Sequence, residues 1–68
     1  MSDKAKHLNS IAADLMVLCD SLVLEAEYCE RNGLMRKLKA EEIKNDALEI
    51  RYLLMLRIEE LIENYEVS

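Results

Sequence analysis

Sixty-eight residues make at most one domain. Fourteen acidic against nine basic side chains leave a formal net charge of −5, which disfavours a broad nucleic-acid footprint. Two Cys, one His and one Gly exclude a disulfide scaffold, a CxxC or HExxH metal motif and a glycine-rich phosphate loop.

A chain this short buries only about 60% of its unfolded surface and needs reinforcement. With disulfides and metal set aside, oligomerisation is the route that remains. The composition is 51% hydrophobic with almost no aromatics. Ala, Leu, Ile, Met, Glu and Lys dominate, all but Ile strong helix formers, and Pro is absent. The fold class expected is all-α, with residues 1–68 forming a single helical-hairpin domain. The N-terminal MSDKAKHLNS is polar and reads as no signal peptide. The longest apolar run is shorter than the ~20 residues that span a bilayer. A cytoplasmic protein with no membrane partner is expected.

The first helix is expected over about residues 3–31. Leu8, Ala12, Leu15, Cys19, Leu22, Ala26 and Cys29 follow spacings of four and three without a break, which places them on one stripe. Through Leu22, a large residue alternates with a small one, the pattern by which closely packed helices interdigitate. Cys19 and Cys29 would lie about 15 Å apart along the helix. A disulfide needs Cα atoms within roughly 7 Å, so both read as small apolar residues. A second apolar line, Ala13, Val17, Leu24 and Tyr28, runs along the opposite side. The stretch LMVLCDSLVL therefore belongs to two seams at once.

Arg31-Asn32-Gly33 is the one turn signal, because a helix C-terminus favours a left-handed residue and Gly supplies it. Residues 32–38 form a basic turn region. The second helix is expected over about 38–66, with its own stripe at Ile43, Ala47, Ile50, Leu54, Ile58, Leu61 and Tyr65. Leu34 and Leu38 are out of phase with that stripe.

Two antiparallel helices bury one stripe each. They cannot cover helices that are apolar on two or three sides. Two such hairpins, packed as a four-helix bundle, cover far more. The self-association core is therefore assigned to Leu8, Ala12, Leu15, Cys19, Leu22 and Ala26 of the first helix. The second helix contributes Ile43, Ala47, Ile50, Leu54, Ile58 and Leu61. Val17, Leu24, Tyr28, Tyr52 and Leu56 are left over as candidates for contact with another protein. A hairpin of about this length, with alternating large and small layers and buried Cys, resembles the Rop-type plasmid regulators in architecture. That resemblance implies a dimeric regulator that grips paired RNA hairpins with polar and basic residues on one helix face.

Charge is segregated along the chain. Residues 1–30 carry net −4, residues 31–44 net +3 and residues 45–68 net −4. The basic patch is Arg31, Arg36, Lys37 and Lys39, with Lys44 nearby. It reads either as a site for phosphate or an acidic partner or as cations set against the negative end of the first helix.

Catalytic chemistry is not expected. His7 lies near a helix end with no nucleophile beside it. Glu27-x-x-Glu30 with Asp46-x-x-Glu49 is the one pairing with the spacing of a Mg²⁺ site between helices, and it departs from the acidic motif pair of all-α nucleotide hydrolases. The expected function is that of a small regulatory or adaptor protein, neither an enzyme nor a cofactor binder. It would self-associate and bind another protein through an apolar helix face, acting by occlusion or scaffolding, as an antirepressor or small chaperone does. The alternative is a nucleic-acid-binding dimer that uses the basic turn ends.

Overall fold

A computed structural model describes residues 3–67 of the chain. Helix α1 spans Asp3–Arg31 and helix α2 spans Lys37–Val67. They fold back on each other as an all-α hairpin, and the described residues include no strand. The ends fall within a residue of those the spacing predicts.

The turn is closed by backbone geometry. Gly33 has φ +71°. Its N–H donates to the Glu30 carbonyl at 3.2 Å, and the Leu34 N–H donates to the Cys29 carbonyl at 2.8 Å. These two bonds are the Schellman termination, which satisfies carbonyls that the helix leaves open. The Asn32 side-chain amide adds a third, donating to the Tyr28 carbonyl at 2.8 Å. Apart from its own chain neighbours, no described residue places an atom within 4 Å of the position a Cβ would take on Gly33. Gly33→Ala therefore costs only the left-handed backbone, about 1–2 kcal/mol. The expected result is a thermal midpoint about 4–15 °C lower. An unchanged melting curve would show that the turn does not hold that conformation in solution.

The two helices touch through small residues. The buried side chains of α1 are Ala5, Ala12, Cys19 and Ala26, one every seven residues. Those of α2 are Ala40, Ala47 and Ile58. Among the described residues no large side chain is fully buried. The heptad spacing predicts one seam in α1 made of large and small residues together. The structure divides it: the small positions meet α2, while Leu8 and Leu15 are half-buried and Leu22 is 48% exposed. Small side chains let the two backbones approach, and close approach pushes the neighbouring Leu positions out to the side.

In α2 the seam lies off the expected stripe. Ala47 and Ile58 do face α1, but Ile50, Leu54, Leu61 and Tyr65 are 42–49% exposed. The less exposed line instead runs Ala40, Lys44, Ala47, Arg51, Met55, Ile58, Ile62. Lys44 and Arg51 belong to it because their aliphatic stems pack and their charged heads reach partners at the edge. Arg51 Nη1 donates to Asp20 Oδ1 at 3.0 Å, which fixes the register between the helices. The hairpin is long and thin, with extents of 51 × 15 × 8 Å.

Candidate interaction faces

A pair of helices one layer thick has two broad faces and two edges, and they differ in chemistry. Leu22, Ala26, Cys29, Met35 and Ile43 line an apolar hollow of about 100 Å³, with Glu25 at its rim. Leu22 and Ile43 thus open on the same side. Steps of seven from Leu22 bring Leu15 and Leu8 to that side. On α2, Ile50, Leu54 and Leu61 follow Ile43 at spacings of seven, four and seven. This is the apolar face, and large aliphatic residues occupy it from end to end.

The opposite face carries the charges that close the seam. Asp20 and Arg51 meet at its middle. Nearer the turn, Lys44 Nζ lies 3.0 Å from Glu41 Oε1, with the lysine side chain only 19% exposed. The hydrogen bond that Lys44 donates to Glu41 raises the Lys44 pKa from its ordinary value, burial opposes the rise, and attraction from Glu41, Glu30 and Glu27 adds to it. Glu30 Oε1 is shielded from solvent with no hydrogen-bond partner.

The twelve residues assigned to the self-association core fall into two groups. Ala12, Cys19, Ala26, Ala47 and Ile58 are buried within the hairpin itself. Leu8, Leu15, Leu22, Ile43, Ile50, Leu54 and Leu61 remain half-buried or exposed on the apolar face. Ala5 and Ala40, absent from the stripes, are fully buried in the seam. Val17, Leu24 and Tyr28 are 52–64% exposed and lie roughly 140–200° around α1 from the alanine seam. Tyr52 is 64% and Leu56 39% exposed on the side of α2 turned from α1. The five partner-contact candidates therefore flank the hairpin on two edges and do not form one patch.

Arg31, Arg36, Lys37 and Lys39 are all exposed. Arg31 stands in the last turn of α1, where the helix dipole favours a cation. The dipole does not account for Lys37 and Lys39. They occupy the first turn of α2, which holds no acidic residue, and there the dipole opposes them. Lys39 Nζ lies 3.6 Å from Glu42 Oε2, with both side chains 66% exposed.

Glu27, Glu30, Asp46 and Glu49 form no metal-holding cluster: among the described residues no three His, Cys, Asp or Glu side chains converge. Glu27 and Glu30 face Lys44 instead. Cys19 is buried and Cys29 half-buried, both as free thiols. Taken whole, α1 is long and apolar enough by length and composition to cross a membrane, although no single apolar run within it is. Compared with protein-family models, with curated proteins and with solved structures, the chain has no match in any of the three.

Proposed function

We propose that the protein is an interaction module: it self-associates through the apolar face as half of a four-helix bundle, and its outer edges bind another protein. One observation carries this reading. A folded monomer of 7.9 kDa is expected to expose about 4,400 Å². This hairpin exposes 5380 Å², about 1,000 Å² more. Each partner in a standard protein interface buries about 800 Å². The surplus surface is thus the size of an interface, and the apolar face is where the large aliphatic residues lie.

In such a bundle, Val17, Leu24, Tyr28, Tyr52 and Leu56 stay on the outside. Aromatic and aliphatic residues with polar neighbours are the composition that protein-binding surfaces favour. The module would act by occupying a helix-binding surface or by bridging two proteins, in the manner of an antirepressor, adaptor or small chaperone. A bilayer is the poorer host for α1. Asp20 and its ion pair with Arg51 tie α1 to a helix rich in charge, and charged groups inside a membrane are costly.

Light scattering after size exclusion tests the first half of the reading. A mass near twice 7.9 kDa, stable on dilution, is the expected result. A monomer at all concentrations would sink it.

The cations at the start of α2 favour a second reading, a nucleic-acid-binding dimer. That reading requires affinity that falls steeply with salt and disappears when Arg36, Lys37 and Lys39 are changed to Glu. Insensitivity to those changes would remove it.

A further inference from the structure

The apolar face shows which way a second copy lies on it. Resting on the self-association proposed above, we propose that the two hairpins pack antiparallel, α1 against the partner's α1 and α2 against the partner's α2. Each turn then sits at the partner's open end.

The sizes of the side chains support this arrangement. The midpoints of the helices are Val17 and Tyr52. With like helices laid midpoint on midpoint and reversed, Leu8 comes opposite the partner's Ala26, and Leu15 opposite the partner's Cys19. Leu22 comes opposite the partner's Ala12. Each large residue lies level with a small one of the partner's seam. On α2, Ile43 comes opposite the partner's Leu61 and Ile50 opposite the partner's Leu54. The exposed aliphatic residues of α2 thus pair among themselves. The hollow beside Ala26 and Ile43, about 100 Å³, receives the partner's Leu8 as a knob enters a hole.

Charges at the rim point the same way. Lys39, Asp46 and Arg57 lie along the edge of the apolar face on α2, and Lys4 and Glu25 along its edge on α1. All five are exposed. In the antiparallel dimer Asp46 stands opposite the partner's Arg57, and Lys4 lies about 7.5 Å along the axis from the partner's Glu25. The parallel dimer instead packs α1 against the partner's α2, at the same register as within the hairpin. It sets Glu25 against the partner's Asp46. Like charges then meet on the rim, whereas Asp46 and Arg57 meet there as opposite charges in the antiparallel form.

Asp46→Arg separates the two orientations by the sign of its effect. In the antiparallel dimer it faces a cation on each side of the two-fold. The dimer is then expected to weaken by about 3–10-fold, as measured by sedimentation equilibrium at low salt. Adding Arg57→Asp restores the affinity. In a parallel dimer Asp46→Arg relieves repulsion and tightens association, which would overturn the proposal. A distance measurement provides the second readout. A spin label is placed at Leu38→Cys, with Cys19→Ala and Cys29→Ala removing the native thiols. Leu38 is 79% exposed and outside both seams. Antiparallel packing places the two labels roughly 40 Å apart, close to the length of a helix. A separation under about 25 Å would overturn the orientation and leave self-association standing. If the wild-type chain shows no dimer at any concentration, the self-association reading itself fails, and the orientation with it.

Discussion

Ile50→Asp is expected to weaken the dimer about a thousandfold or more while changing the isolated hairpin little. Ile50 is 49% exposed in the hairpin, so a carboxylate there keeps its water as long as the chain is alone. In the proposed antiparallel bundle the same position faces the partner's Leu54, two residues from the two-fold beside Tyr52. Both introduced carboxylates enter one apolar layer, unpaired and close to each other. Each loses the burial of the half of an Ile side chain that the lone hairpin leaves exposed, about 1 kcal/mol. Each also incurs a desolvation cost of several kcal/mol with no cation to offset it. A total near 4 kcal/mol already corresponds to about a thousandfold in dissociation constant.

Three features make that result specific. Leu38→Asp, on a residue 79% exposed and away from the apolar face, is expected to leave the dissociation constant unchanged. Helicity of the Ile50→Asp chain should become weakly dependent on concentration, because the hairpin then stands on its own seam of small residues. Acidification toward pH 4 protonates the introduced carboxyl and should recover part of the association. A variant that dimerises with wild-type affinity at neutral pH would show that the apolar face is not the self-interface.

The elements were legible in the sequence because their signals are local. Asn32-Gly33 predicts the turn, and the Gly33 backbone at φ +71° is the conformation that makes Gly the favoured residue there. Both helix ends follow from that one position and from the lack of any other breaker. The seam was only partly legible, because it depends on how closely the helices approach. The spacing puts Leu8, Ala12, Leu15 and Cys19 on one stripe but does not say which of them touch. Ala5 and Ala40 carry too little hydrophobicity to be noticed in a sequence, yet they are the most buried of the described residues. In α2, apolarity selects Ile50, Leu54 and Leu61, whereas the seam takes in Lys44 and Arg51. A charged residue gives no sequence signal of packing by its stem, and the Asp20 that holds Arg51 is distant in the chain. The basic turn is legible as composition. That Lys37 and Lys39 oppose the dipole of α2 becomes visible only when the helix is known to begin at Lys37.

Ala47→Leu is expected to destabilise the hairpin, although it makes the chain more apolar. Ala47 is 2% exposed and stands where α2 meets α1 through a row of residues no larger than Cys over most of α1. Three more heavy atoms have no room in that row. Either the helices separate, and the Ala12, Cys19 and Ala26 contacts loosen together, or Leu takes a strained rotamer. Overpacking of this kind costs typically 1–3 kcal/mol. For a domain of this size that lowers the thermal midpoint by about 5–20 °C. A burial argument alone gives the opposite sign, since Leu is also the better apolar residue. The comparison is cleanest with Leu48→Ala, which removes apolar atoms from a position 45% exposed and is expected to shift the midpoint by only a few degrees. Melting both variants by circular dichroism over a range of concentrations separates the hairpin from the dimer. A loss at the seam appears at every concentration, whereas a loss at the interface shrinks as concentration rises. If Ala47→Leu melts at or above the wild-type midpoint, the helices are not in close approach and the division between a small seam and a large apolar face does not hold.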